Sequence, residues 1–180
     1  MDSNAIERYL TKLQHDYIDT LSLGCLPANG ITAKNMKLHQ LSKTKCKALF
    51  GVFNTDSASK PGTHWVALVI SFPTKMILYY DPVGLPPMKS NRFLLQQIVQ
   101  VLPDYQVKIN QFQQQGLFAK NTTNNTIEIN RLCGEYSLLF IKQILSGKTF
   151  KSATNYYPTH KQLYQFGKGI PSGNLDPIPP

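Results

Sequence analysis

The stretch NRLCGEYSLLFI, residues 130–141, decides how the rest of the chain is interpreted. It places Cys133 and Gly134 at the start of an apolar run that is long enough for a buried helix. The backbone N–H groups at the first turn of a helix favour an anion, so we expect a thiol at that place to have a lowered pKa and to be reactive. The alternative is that Cys133 is one more small, buried apolar side chain. The residues upstream decide between the two.

Size and composition indicate one globular domain. The chain has 180 residues, of which 42% are hydrophobic, and this is enough to bury a core and to exclude a disordered chain. We predict a single domain over residues 1–180, with its core at about 48–146 and an irregular tail at 167–180. The apolar runs are shorter than the ~20 residues of a membrane span, so we expect no membrane partner, and we expect a monomer.

The cysteine content points to a reducing compartment. Cys25, Cys46 and Cys133 are odd in number and widely spaced, unlike a disulfide framework or a zinc site. We therefore expect no structural disulfide and no bound metal.

The charge favours a polyanionic partner. Lys and Arg number 19 against 10 Asp and Glu, which gives a net charge of +9. Five lysines crowd one stretch with no acid among them: Lys34, Lys37, Lys43, Lys45 and Lys47. We predict that they bind DNA without sequence preference and in a salt-dependent way. The alternative is a solvated basic surface, since no sequence-reading motif accompanies the charge.

Apolar periodicity and turn residues predict an α+β fold. Helices are predicted at residues 4–18, 33–41, from Ser90 to Pro103, from Cys133 to about Leu145, and at 159–166. Strands are predicted at residues 48–53, 64–72, 76–80 and 105–112. Residues 23–30 are predicted to form a turn-rich break and residues 113–125 a polar loop. The expected architecture is a central, mostly antiparallel sheet against a buried central helix that carries Cys133 at its N-terminus, flanked by further helices.

Three chemically apt residues lie at the edges of these elements. His64 begins a strand and Asp81 ends its hairpin partner, so the two are expected at the same end of the sheet. An imidazole beside a carboxylate is held in one tautomer and can pair with a thiol, which is the logic of a Cys–His–Asp triad. Each residue also has a structural interpretation, because Asp81-Pro82 is a common turn opening and His64 could pack on Trp65.

These motifs resemble a known family. The segments GTHWVA (62–67), YDPVG (80–84) and LCG (132–134) occur in the order His, Asp, Cys. In this they resemble the adenovirus-type (adenain-like) viral maturation cysteine proteases, whose clan includes the SUMO-specific proteases. The resemblance covers residues of about 48–146, and it implies a cysteine endopeptidase.

The resemblance assigns a role to each matching residue. Cys133 would be the thiolate nucleophile, and its backbone N–H would contribute to the oxyanion hole. His64 would be the general base and acid, and Asp81 would orient it; adenoviral enzymes use Glu at this place and SUMO-specific ones Asp. Trp65 would wall a narrow substrate groove that favours Gly before the cut bond.

The expected oxyanion side chain is missing. Many clan members carry a Gln shortly before the cysteine, where this chain has Thr126 and Ile127. Asn130 has the right chemistry and is our predicted donor, although an Asn near a helix start can be a cap. The alternatives are Asn125 and Gln115.

The resemblance also bears on activation and partners. It implies stimulation by DNA or by a short viral peptide that forms a disulfide with the enzyme. No cysteine lies between Asp81 and Cys133, so that disulfide cannot form in the same way. The predicted substrates are viral capsid or core precursors, cut at Gly-containing sites during virion maturation, and the predicted location is the virion and the infected host cell. The alternatives are a protease for ubiquitin-like modifiers and a non-catalytic basic protein that binds DNA or the capsid.

Overall fold

Five strands form one mixed sheet with helices on both faces. The computed structural model describes residues 2–27, 30–55, 64–110, 124–156, 158 and 160–169, with the backbone alone for 124–131, 160, 161 and 164. The strands are β1 (Thr20–Leu26), β2 (Ala48–Asn54), β3 (Trp65–Ser71), β4 (Met76–Tyr80) and β5 (Gln106–Ile109). The helices are α1 (Ser3–Asp16), α2 (Leu38–Leu41), α3 (Lys89–Val101), α4 (Asn124–Leu145), α5 (Phe150–Thr154) and α6 (His160–Lys168).

The sheet is mixed, so the prediction of a mostly antiparallel sheet was wrong. The strands follow the order β1-β2-β3-β4-β5. The central pairs β2–β3 and β3–β4 are antiparallel, but the outer pairs β1–β2 and β4–β5 are parallel. A parallel neighbour needs a long crossover, and the chain provides one on each side: the segment that contains α2 joins β1 to β2, and α3 lies between β4 and β5.

The central strands are buried on both faces, which explains their unbroken apolar sequences. Successive side chains alternate between two cores. Val69 and Leu78 face one core, which is covered by α1 and α4. Ile70 and Ile77 face the other, which is covered by α3 and the segment around Leu38. This sandwich fixes the ends of β3 and β4, where the site lies.

Strand β1 replaces part of the predicted turn-rich break, so that prediction was wrong. Gly24 has a φ of +83° at a shift in the β1–β2 register, a conformation that suits glycine. The carboxylate of Glu7 accepts the N–H of Cys25 at 2.6 Å and stabilises this irregular strand from α1. The break in the sequence pattern is a bulge within a strand.

The remaining differences concern bounds. Helix α1 and the N-terminal end of α3 lie close to their predicted places, but α2 is shorter than predicted and α5 was not predicted. In α3, Leu94 and Ile98 are buried, whereas Phe93 is 61% exposed. Residues 111–123, in the predicted loop, and residues 170–180, in the predicted tail, lie outside the described residues.

Helix α4 starts well before Cys133, so the prediction that Cys133 lies at a helix N-terminus was wrong. The helix spans 22 residues from Asn124, and Cys133 lies in its interior. The sequence contains no Pro or Gly between Gly116 and Gly134 that would end a helix ahead of the cysteine. Among the described residues, no helix is long and apolar enough to cross a bilayer.

Candidate active site

His64 and Asp81 meet where β3 begins and β4 ends. The Nε2 atom of His64 lies 2.9 Å from Oδ1 and 3.0 Å from Oδ2 of Asp81. The Asp81 residue is only 2% exposed, so water competes little for its carboxylate. The structure thus brings together the two residues that the hairpin argument placed at one end of the sheet.

Asp81 is held by an asparagine that the sequence analysis missed. The side chain of Asn110, directly after β5, accepts the N–H of Asp81 at 2.8 Å and donates to its carbonyl at 2.6 Å. The amide thereby extends the β4–β5 pairing by one step. A further N–H, that of Val83, donates to Oδ1 of Asp81 at 2.7 Å. The sequence could have indicated Asn110 by its position, because it is a polar residue directly after a strand.

The second ring nitrogen of His64 is left for the thiol. Nδ1 is buried and makes no hydrogen bond of ordinary geometry among the described residues. Burial by itself lowers the pKa of His64, but the hydrogen bond and charge of Asp81 and the nearby thiol of Cys133 outweigh it and raise that pKa to about 9. The raised pKa favours the imidazolium form of His64, next to the sulfur atom of Cys133.

Cys133 lies against the first residue of β3. The backbone N–H of Trp65 donates to Sγ of Cys133 at 3.3 Å, and the cysteine is buried, with 3% of its surface exposed. A positive imidazole and an N–H donor are the surroundings that stabilise a thiolate. The arrangement can hold an imidazolium–thiolate pair, which is a nucleophile together with its acid.

The helix around Cys133 changes the expected oxyanion hole. In the interior of an α-helix each backbone N–H donates to the carbonyl four residues earlier. The N–H of Cys133 is therefore engaged within α4 and does not have the role that the resemblance implied. Because Cys133 is not at a helix terminus, the N–H groups of a first helical turn cannot stabilise its thiolate. The groups placed to do so are the imidazole of His64 and the backbone N–H of Trp65.

The other predicted site residues are placed less fully. The backbones of Asn130 and Asn125 lie in α4, ahead of Cys133, and Gln115 lies outside the described residues. Trp65 is half-buried and packs against the core that α1 and α4 cover. Of the predicted site, the structure describes His64, Asp81, Cys133 and Trp65 as one cluster.

Cys25 and Cys46 lie apart from this cluster and differ from Cys133 in their surroundings. None of the three cysteines forms a disulfide. Burial, together with the charge of Glu7, raises the pKa of the Cys25 thiol to about 12, and burial also raises that of Cys46. Among the described residues no group of His, Cys, Asp or Glu could hold a metal ion.

Sequence comparison places the chain among proteases. Residues 28–168 match the model of the Ulp1 protease family, C-terminal catalytic domain. A protein of Acanthamoeba polyphaga mimivirus, named as a thiol protease (R355), is 24% identical over 150 residues. The match covers 81% of this chain, which spans about half (47%) of that relative's length.

Solved structures share the fold at low identity. The ASFV pS273R protease superposes with a TM-score of 0.68 at 17% identity, over 94% of this chain and 66% of that one. The SUMO protease Ulp1 gives a TM-score of 0.61 at 15% identity, over 94% and 75% of the two chains. ChlaDub1 of Chlamydia trachomatis gives 0.56 at 15%, over 94% and 91%.

The matched segment contains the whole described cluster, from His64 through Asp81 to Cys133. It also extends over most of the chain, well beyond the hairpin and the helix that carry these residues. The chain belongs to the Ulp1 protease family and carries the catalytic domain of a thiol protease.

Proposed function

We propose that this chain is a cysteine endopeptidase that cleaves viral capsid or core precursor proteins at Gly-containing sites during virion maturation. The observation that carries the proposal is the pair of contacts on His64 and Trp65. Nε2 of His64 is held by both oxygens of Asp81, while the thiol of Cys133 receives the next N–H in the chain, from Trp65. The similarity to a mimivirus protein named as a thiol protease supports the viral assignment.

The cluster would work by covalent catalysis. The thiolate of Cys133 attacks the carbonyl carbon of the scissile peptide and forms a C–S bond. Imidazolium of His64 then gives its proton to the leaving amine as the C–N bond breaks. A water molecule attacks the thioester and gives a proton to His64, and collapse releases the acid product and restores the thiolate–imidazolium pair. Asp81 keeps the imidazole oriented throughout and stabilises its cationic form before acylation and after deacylation.

Two parts of the proposal concern how the substrate is held. Asn130 is our candidate for the oxyanion donor, with Asn125 and Gln115 as alternatives, because the N–H of Cys133 is engaged within α4. Trp65, half-buried beside the thiol, is proposed to wall a groove that admits Gly before the cut bond. The resemblance to adenain-like proteases supports the assignment of Trp65, whereas that of Asn130 is supported by its amide chemistry and by its place in α4 ahead of Cys133.

Regulation and location are proposed from the charge and the resemblance. Lys34, Lys37, Lys43 and Lys45 are exposed and make no ion pair within the described part of the chain, whereas Lys47 pairs with Asp19 at 3.3 Å. These lysines are proposed to bind DNA, which would concentrate the enzyme on a packaged genome, and a viral peptide is a second proposed activator. The proposed location is the virion and the infected host cell.

A second candidate activity is the removal of ubiquitin-like modifiers. The structural similarity to the SUMO protease Ulp1 favours it. A substrate in which the Gly-Gly tail of a modifier is joined to a fluorophore separates the two. A modifier protease should release the fluorophore, whereas a maturation protease should cleave virion precursors and leave that bond uncut.

A third candidate has no chemistry. The net charge of +9 suits a DNA-binding or capsid-associated protein. In that case DNA binding would be unchanged in Cys133→Ser and no precursor would be cut by either form of the protein.

Incubation with virion precursor proteins tests the proposal. Wild-type protein and Cys133→Ser are incubated with the precursors, with and without DNA, and the products are mapped by mass spectrometry. We expect cuts at Gly-containing sites by the wild type alone, because loss of the nucleophile costs on the order of 10⁶ in rate. Cleavage by Cys133→Ser at the wild-type rate would contradict the assignment.

A further inference from the structure

Trp65, the first residue of β3, pairs with β2 but lies before the first pair between β3 and β4. Trp65 faces Asn54 of β2, but the neighbouring hydrogen bond runs from the N–H of Thr55 to the carbonyl of His64 at 3.0 Å. Because hydrogen-bonded and non-bonded pairs alternate in an antiparallel ladder, the N–H and the carbonyl of Trp65 point away from β2. The pairing with β4 begins only at Ala67 and Tyr80.

Helix α4 satisfies both of these groups. The N–H of Trp65 donates to Sγ of Cys133 at 3.3 Å. The hydroxyl of Ser137 donates to the carbonyl of the same residue at 3.1 Å. Cys133 and Ser137 are four residues apart, so they lie on one face of the helix, one turn above the other.

Ser137 is fully buried, with 0% of its surface exposed. A buried helical serine often bonds to the carbonyl of its own preceding turn, but this one bonds across to the strand. Its partner residue is also the neighbour of His64. The bond therefore ties the helix of the nucleophile to the strand of the base, one turn from the sulfur.

We propose that Ser137 is a positioning residue for this site. Its hydrogen bond to the carbonyl of Trp65 fixes the position of α4 along β3 and the rotation of α4 about its own axis. The thiol of Cys133 is thereby held against the imidazole of His64. Sequence reasoning did not single out this serine. The inference rests on the proposed function, because it names a further residue of the same site.

The test is the rate at which iodoacetamide alkylates Cys133, followed peptide by peptide with mass spectrometry at pH 7. Cys25 and Cys46 are internal references, because the pKa of each is raised. We expect Ser137→Ala to lower the ratio of Cys133 to Cys46 alkylation by about 10- to 100-fold, since a displacement near 1 Å at a reacting atom can cost about 100-fold. Unfolding would also bring the ratio towards one, but it would do so by exposing Cys25 and Cys46 and raising their rates. The proposal requires that the rates of Cys25 and Cys46 keep their wild-type values while that of Cys133 falls.

Matched variants separate the hydroxyl from the volume. Ser137→Thr keeps the hydroxyl and should retain most of the ratio. Ser137→Val has the shape of the threonine variant without its hydroxyl and should not retain it. Ser146→Ala removes an exposed hydroxyl that bonds within its own turn and should leave the ratio unchanged.

A second readout uses Trp65, the single tryptophan of the chain. Its fluorescence should report the ionisation of His64 next to it, and the midpoint should move to lower pH in Ser137→Ala because the contact with the thiol raises the pKa of His64.

A folded Ser137→Ala protein with the wild-type alkylation ratio and fluorescence midpoint would overturn the proposal. This outcome is distinct from failure of the proposed function, which would show as no precursor cleavage by the wild type or as cleavage that persists in Cys133→Ser.

Discussion

Both carboxylate oxygens of Asp81 contact the same ring nitrogen of His64, at 2.9 Å and 3.0 Å from Nε2. One side of the imidazole is thereby fixed, and only Nδ1 can meet the thiol of Cys133. The acid therefore sets the orientation of the base as well as its charge. The pH dependence of the site follows from this contact.

The alkaline limit of activity should lie near pH 9. Proton transfer to the leaving amine needs imidazolium, and the pKa of His64 is raised from 6.5 to about 9. We expect kcat/KM to fall on the alkaline side with a midpoint near 9. The same shift should stabilise the fold fully below about pH 6.5, and this contribution should be lost as the pH rises through about 9. A pH–rate profile checks the first point, and a midpoint near 6.5 would argue against a His64 held by Asp81 and Cys133.

Asp81→Asn should move that limit downward and slow the reaction. An amide keeps the shape of the carboxylate but removes its charge and can orient the wrong tautomer. We expect a loss of about 10²- to 10⁴-fold in kcat, smaller than the loss from removing Cys133. Stopped assays across pH measure both effects together. If Asp81→Asn had wild-type kcat and profile, the carboxylate would have no part in the reaction.

Asn110→Ala should destabilise the protein by about 2–4 kcal/mol. The substitution leaves the buried N–H and carbonyl of Asp81 without partners. Asn91→Ala is the matched control: Asn91 is also buried, but the one hydrogen bond described for its side chain is a long 3.5 Å bond to the hydroxyl of Tyr79. Its loss should cost about 1 kcal/mol. Urea unfolding measures both changes in the free energy of unfolding. Equal changes would mean that the two hydrogen bonds between Asn110 and the backbone of Asp81 do not stabilise the fold.

Gly24→Ala should be more harmful than Gly147→Ala. Both glycines have positive φ, +83° and +89°, so alanine is strained at each by about 1–2 kcal/mol. A Cβ at residue 24 would also lie 2.9 Å from the Glu7 carboxylate and would disturb its bond to Cys25, whereas a Cβ at residue 147 meets nothing within 4 Å. Thermal unfolding compares the two variants. Equal shifts in Tm would contradict the role of Glu7 at the bulge.

The basic surface should account for any DNA binding. Replacing four exposed lysines by Gln should weaken binding and reduce the slope of log K against log salt by up to about 3–4; the four are Lys34, Lys37, Lys43 and Lys45. The control makes the same charge change elsewhere, at Lys12, Lys75, Lys89 and Lys108. Fluorescence anisotropy with a DNA duplex at several salt concentrations measures the slopes. Equal loss in both variants would show that net charge, rather than this surface, determines binding.

The parts of the structure that follow from local sequence were predictable. The unbroken apolar runs around Val69 and Leu78, separated by the turn residues 73–75, defined the central hairpin. The hairpin alone placed His64 beside Asp81. Helix α1 followed from the spacing of Ile6, Leu10 and Leu13, all of which are buried.

The parts that depend on distant segments were not predictable. Strand β1 looks like a turn until β2 pairs with it, because its bulge at Gly24 is stabilised by Glu7 of another element. Asn110 and Ser137 are polar residues without a pattern, and their roles appear only when β5 and α4 meet the ends of β4 and β3. The start of α4 was misplaced because the helix was predicted to begin with the apolar run at Cys133, whereas it begins in the polar residues upstream, at Asn124.

The central claim is that Cys133 is activated by His64, and alkylation of the wild-type protein at pH 6 tests it most directly. With iodoacetamide as the probe, Cys133 should react about 100-fold faster than Cys25 and Cys46, whose pKa values are raised. This advantage should disappear in His64→Ala. Equal rates at the three cysteines of the folded wild-type protein, or a fast Cys133 that is unaffected by His64→Ala, would contradict the account.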